Sequence, residues 1–214
     1  MVTFQNIVQT GVIKVMPIAM AVLLFMLGGC GTGDRNQEAK QGGDSTESLE
    51  GKTAAVDEAT LGKLVSTIDF QVQTDDLENF ENGRMPWIRI DSPEVDLLHL
   101  INKDEVVIPE SRVALIIDYP LKAPFAFMLF SDKGFTRGTL IRLISYQYRL
   151  IYEEEENTAK TKTLPPGQRK IINRNTTDGI YGIWGHDIGD LVLTEVDVYR
   201  NSQGTLTLIL QVDS

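Results

Sequence analysis

The stretch LVLTEVDVYRNSQGTLTLILQV, Leu191 to Val212, decides the fold. Two apolar runs end at Val198 and begin at Leu206, and between them Asn201-Ser202-Gln203-Gly204 is rich in turn formers, so the pair reads as a β-hairpin. In the second run Leu206, Leu208 and Leu210 alternate with Thr205, Thr207 and Ile209. One face therefore belongs to a core, and the other is at least half covered.

Working outward, five more runs have strand character: Leu64 to Val72, Trp87 to Ile90, Val106 to Ile108, Arg112 to Tyr119 and Phe125 to Phe130. Two helical patterns interrupt them. Ser92-Pro93-Glu94 places an N-cap residue, an N1 proline and a first-turn acid before Val95, Leu97, Leu98 and Ile101, which predicts a helix over about 92–103. A second helix, 136–156, starts near Thr136 and carries Leu140, Ile144, Tyr148 and Ile151 at three- and four-residue spacing, with Ile141 beside them. Many strands with two inserted helices and no strict alternation predict an α+β domain, a mostly antiparallel sheet with both helices packed on it. No internal repeat is present.

Composition bounds the chemistry. The 214 residues carry 20 Lys+Arg against 30 Asp+Glu, a net charge of −10, with one Cys and two His. One Cys excludes an internal disulfide, and two His exclude a three-His zinc site. The acidic balance argues against nucleic acid, whose phosphates need Lys and Arg to displace counterions.

The first 30 residues contain no acid, one Lys (Lys14), and an apolar run from Val15 to Leu27 that ends in Gly28-Gly29-Cys30. Spanning a bilayer takes about 20 residues, so a run of this length matches the apolar region of an export signal. Leu27-Gly28-Gly29-Cys30 resembles the lipobox of bacterial lipoprotein precursors: an apolar residue, two small ones, then Cys. The resemblance covers 1–30 and implies a signal peptide over 1–29, a diacylglyceryl group on the Cys30 thiol, and an acyl chain such as palmitate on its freed amino group. It makes Cys30 an anchor and not a catalyst, since two or three chains hold a protein stably at a membrane. Gly31 is not the Asp that retains such proteins at the inner membrane, so in a Gram-negative envelope the outer membrane is favoured. The n-region is long and weakly charged for this class, and Met16 is an alternative start that would remove Lys14.

After Cys30, residues 31–60 hold five Gly, seven acids, three bases and no aromatic residue, with Leu49 and Val56 the only large apolar side chains. Such a segment buries too little to offset its ordering entropy and reads as a disordered acidic tether, reaching about 30 Å. Gly51-Lys52-Thr53 looks like the end of a phosphate-binding loop, but Thr46 stands where that motif needs Gly. Residues 61–214 then form the single domain.

Within it, 157–179 carries Lys160, Lys162, Arg169, Lys170 and Arg174 against Asp178, and Pro165-Pro166-Gly167 bars regular structure from much of it. Loops of this length are usually functional or disordered. This one is either a basic lip for an acidic ligand or partner, or a solvated loop pairing with Glu153 to Glu156 nearby. Those four glutamates oppose the dipole of the helix they end, so the helix frays or the loop folds back on them. Next, four glycines in 179–190 surround Tyr181, Trp184, His186, Asp187 and Asp190. They either build a tight ligand loop or turn corners while Tyr181, Ile183 and Trp184 fill the core.

His186 beside Asp187 is a titratable pair that cooperates only in a turn, because neighbours on a strand face opposite ways. No nucleophile elbow and no His-Glu-x-x-His helix occurs. Asp187, Asp190 and His186 could offer three donors to a cation, but they lack the alternating oxygens of a calcium loop. His-Asp is shared with the HD phosphohydrolases, which are all-helical and need more His. His99, between Leu98 and Leu100, reads as packed or surface, and Asn175-Thr176-Thr177 as a chance glycosylation sequon.

Two functions are thus expected from the residues. The first is a membrane-anchored envelope lipoprotein whose domain binds an envelope protein or acidic ligand through the 157–190 face, with Arg169, Lys170, Arg174, Tyr181, Trp184 and His186 as contacts and no cofactor or metal. The second is a periplasmic or surface hydrolase with His186 as general base, oriented by Asp187 or Asp190, and Arg174 stabilising an anion.

Overall fold

The computed structural model describes residues 16–17 and 61–214. In chain order the strands are β1 (Met16–Pro17), β2 (Lys63–Asp69), β3 (Val72–Gln73), β4 (Arg84–Met85), β5 (Ile88–Arg89), β6 (Val106–Ile108), β7 (Arg112–Ile117), β8 (Phe125–Phe130), β9 (Phe135–Thr136), β10 (Val192–Arg200) and β11 (Leu206–Asp213). The α-helices are α1 (Pro93–Asp96) and α2 (Arg137–Thr158). The main sheet runs β1-β8-β7-β11-β10-β2, with β5 pairing the start of β10. All its neighbours are antiparallel except β7 and β11, which run parallel. The chain is α+β and mostly sheet, as its pattern predicts.

The hairpin forms where the alternation places it: β10 and β11 pair from Val192↔Asp213 to Arg200↔Leu206. Leu206, Leu208 and Leu210 are buried, whereas Thr207 and Ile209 are half-buried. Against the inner face lies α2, whose Leu140, Ile141, Ile144, Tyr148 and Ile151 are fully buried. Thr136 caps it by accepting the Thr139 N–H at 3.1 Å. Among the described residues, every side chain of the core cluster comes from between Ile68 and Val212, a core held within 61–214.

The first helix is shorter than its sequence pattern. The backbone of 99–101 turns away to pair with 71–73: Gln73 donates to the His99 carbonyl and Ile101 to the Gln71 carbonyl, both at 2.9 Å. Those bonds take groups that a continuing helix would use, and Val95 and Leu98 end up exposed. Asp96 is buried instead, where it accepts from the Arg89 guanidinium at 2.5 and 3.0 Å. Ser92 precedes the helix without capping it, its hydroxyl turning to Asp91.

β1 falls inside the segment read as an export signal and, among the described residues, pairs only with β8, Met16↔Met128 and Pro17↔Phe127. Cleavage before Cys30 would make β8 the edge of the sheet.

Candidate functional site

At the C-terminal end of α2 the helix does not fray; it continues to Thr158, and the Ala159 N–H still reaches the Glu155 carbonyl at 2.8 Å. Glu155 lies four residues beyond Ile151 on the same stripe and is fully buried. A buried carboxylate is tolerated only when hydrogen-bonded, and the loop supplies the donors. Oε1 accepts from the Thr177 hydroxyl at 2.5 Å and the Gly179 N–H at 2.9 Å. Oε2 accepts from the N–H groups of Tyr181 at 2.9 Å and Gly182 at 3.1 Å. Burial acts to raise its pKa, yet these bonds from Thr177, Tyr181, Gly179 and Gly182 outweigh it and hold the carboxyl below its usual range. The loop does fold back on the acidic run, but three backbone amides and the Thr177 hydroxyl, not its cations, satisfy Glu155.

Two glycines make this approach feasible. A Cβ on Gly179 would lie 2.5 Å from the Glu155 carboxylate and 2.7 Å from its carbonyl oxygen. Gly182 has φ +62, the left-handed region open to glycine. Tyr181 between them is buried, its ring 4.5 Å from that of Phe125, and its hydroxyl donates to Glu154 at 2.5 Å.

The two arginines converge on Asp187. Arg169 grips it bidentately at 2.6 and 3.0 Å, and Arg174 Nε lies 3.6 Å from it. Arg174 is buried: it donates to Thr163 at 2.5 Å and to Thr177 and the Ile183 carbonyl at 3.3 Å, and it lies 5.5 Å from the Tyr152 ring centre. Its backbone bridges to Gly185 at 3.0 Å. Burial pushes the Tyr152 hydroxyl pKa well up, and that hydroxyl donates to the His186 carbonyl at 2.9 Å. Asp190 accepts the Asp187 N–H at 2.9 Å.

His186 stands apart from these carboxylates. Its ring centre lies 5.5 Å from that of Tyr119 and 5.7 Å from that of Trp184, and its Nε2 is 3.5 Å from the Ser214 hydroxyl. Trp184 donates Nε1 to the Leu121 carbonyl at 3.3 Å and remains partly exposed. Among the described residues, no group of three or more His, Cys, Asp and Glu side chains is arranged as a metal ligand set. No protein-family model, no curated protein and no solved structure matches the chain.

The structure thus brings Arg169, Arg174 and Asp187 together, with Asp190 bonded to the Asp187 amide and the Tyr181 amide in the Glu155 nest. His186 and Trp184 form a separate aromatic group, Lys170 projects from the surface, and Cys30 lies outside the described residues. Glu155 was not singled out from sequence, although the spacing Ile144, Tyr148, Ile151, Glu155 places it on the buried stripe. Tyr119 and Tyr152 carried no local signal, because their partners are distant in sequence.

At the opposite end of the sheet, an open cleft of about 570 Å³ is lined by Glu110, Ser111, Arg112, Met128 and the turn before β11. Glu110 spans one wall and pairs with Arg200 at 2.6 Å.

Proposed function

We propose that the chain is a membrane-anchored envelope lipoprotein whose domain works by binding through the 157–190 face. The observation that carries this reading is the order Leu27-Gly28-Gly29-Cys30 at the end of the apolar run, followed by a 30-residue polar stretch and then a domain with its own hydrophobic core. Lipid on Cys30 would fix the protein to a bilayer, and the tether would leave the domain room to meet a partner.

The geometry of the face supports binding over catalysis. Asp187 is engaged by Arg169 and Arg174, Asp190 accepts a backbone amide, and among the described residues neither carboxylate bonds the His186 ring. The hydrolase reading needs Asp187 or Asp190 to orient His186, whereas among the described residues the hydrogen-bonding neighbour of its ring is the Ser214 hydroxyl, at 3.5 Å.

Detergent phase partitioning of the expressed full chain tests the anchor. The wild type should enter the detergent phase and Cys30→Ser should not move there as a processed, lipid-bearing species. Equal partitioning of a processed wild type and Cys30→Ser would overturn the reading.

A further inference from the structure

The four residues Lys170-Ile171-Ile172-Asn173 lie between the two arginines that grip Asp187. Their base is fastened: Arg169 bonds Asp187 and the Leu164 carbonyl, and Arg174 bridges Gly185. Asn175 clasps the neighbouring segment through the Leu164 N–H at 2.8 Å and the Lys162 carbonyl at 3.1 Å. What the fastened base holds outward is apolar. Ile171 is 69% exposed and Ile172 93%, and Lys160 and Lys170 have no side-chain partner among the described residues.

Single exposed apolar residues are ordinary, but two adjacent isoleucines on a basic loop are a specific combination. Residues 157–179 carry five bases and one acid, while the rest of the domain has 11 bases and 22 acids. Lys170–Asn173 also holds no aromatic residue of the kind that anchors protein interfaces. A bilayer needs only a few inserted side chains and charge attraction to its headgroups.

We propose that the Lys170–Asn173 tip docks the domain on an anionic lipid surface, with Ile171 and Ile172 entering the apolar boundary and Lys160 and Lys170 facing headgroup phosphates. The acidic body is repelled by the same surface, so the charge distribution orients the domain tip-down. The inference gives the proposed binding face a ligand class. Yet it does not require the lipid on Cys30, and the two can fail separately.

The test is cosedimentation of residues 61–214, which carry no Cys30, with vesicles of equal parts phosphatidylcholine and phosphatidylglycerol, and with phosphatidylcholine alone. The domain should sediment with the anionic vesicles and much less with the neutral ones. I171S/I172S should weaken partitioning by about tenfold or more, and each of K160A and K170A by about fivefold. V95S/L98S, which removes an exposed apolar pair elsewhere, should leave it unchanged. A wild-type domain that stays in the supernatant, as a tip serving a protein partner would, overturns the proposal. So does sedimentation of I171S/I172S equal to the wild type. Loss of lipid binding with a lipid-bearing Cys30 would sink the docking tip alone; vesicle binding with an unmodified Cys30 would sink the anchor alone.

Discussion

Glu155 shows how one residue can join a helix to a loop 22 to 27 positions away. Its carboxylate replaces lost water with one hydroxyl and three amides, and the amides are those of the glycine-rich segment. Removing the carboxylate strands these donors in the interior. Glu155→Ala is therefore expected to destabilise the domain by about 3 kcal/mol, read by chemical denaturation. Its pH dependence has a definite sign. Because the folded carboxyl titrates below its ordinary value of 4.5, its contribution is complete above that pH and is lost as pH falls through the depressed folded value. The stability gap between wild type and Glu155→Gln should narrow on acidification from neutral pH; a gap that widens would contradict the nest. The residue was legible in the helical spacing, but its role was not. An acid at a helix C-terminus reads as exposed until the loop that covers it is known.

At the scale of elements, the hairpin and α2 were legible because each carries its own period, two for β10 and β11 and three to four for α2. The first helix was less so: its apolar residues fit a helix over 92–103, but the pairing of 71–73 with 99–101 is nonlocal and overrides local preference. The glycine loop also has two local readings, and the choice depends on a contact with Glu155. In the structure Gly179 lies against that carboxylate, whereas Gly167 has open space around its Cβ position. Gly179→Ala should therefore lower the melting temperature markedly and Gly167→Ala by little or nothing, as measured by thermal circular dichroism. Equal effects would mean that the loop does not close on α2.

For the whole molecule, the net charge of −10 conceals an uneven distribution. The acids lie in the body and in residues 31–60, and four of the five bases of 157–179 divide into two uses. Arg169 and Arg174 are consumed internally by Asp187, while Lys160 and Lys170 remain outward. Sequence alone could count these charges but could not separate the cations bound by Asp187 from the exposed ones, since that depends on where Asp187 sits. The proposed anchor rests on the opposite kind of signal, a linear motif that a peptidase and a transferase would read before folding. The most direct measurement is the intact mass and N-terminal peptide of the protein recovered from cells that express the full chain. A mature chain beginning at Cys30, with a diacylglyceryl group on the thiol, is the predicted result. An unmodified Cys30, or a chain that retains Val15 to Leu27, would contradict the lipoprotein account.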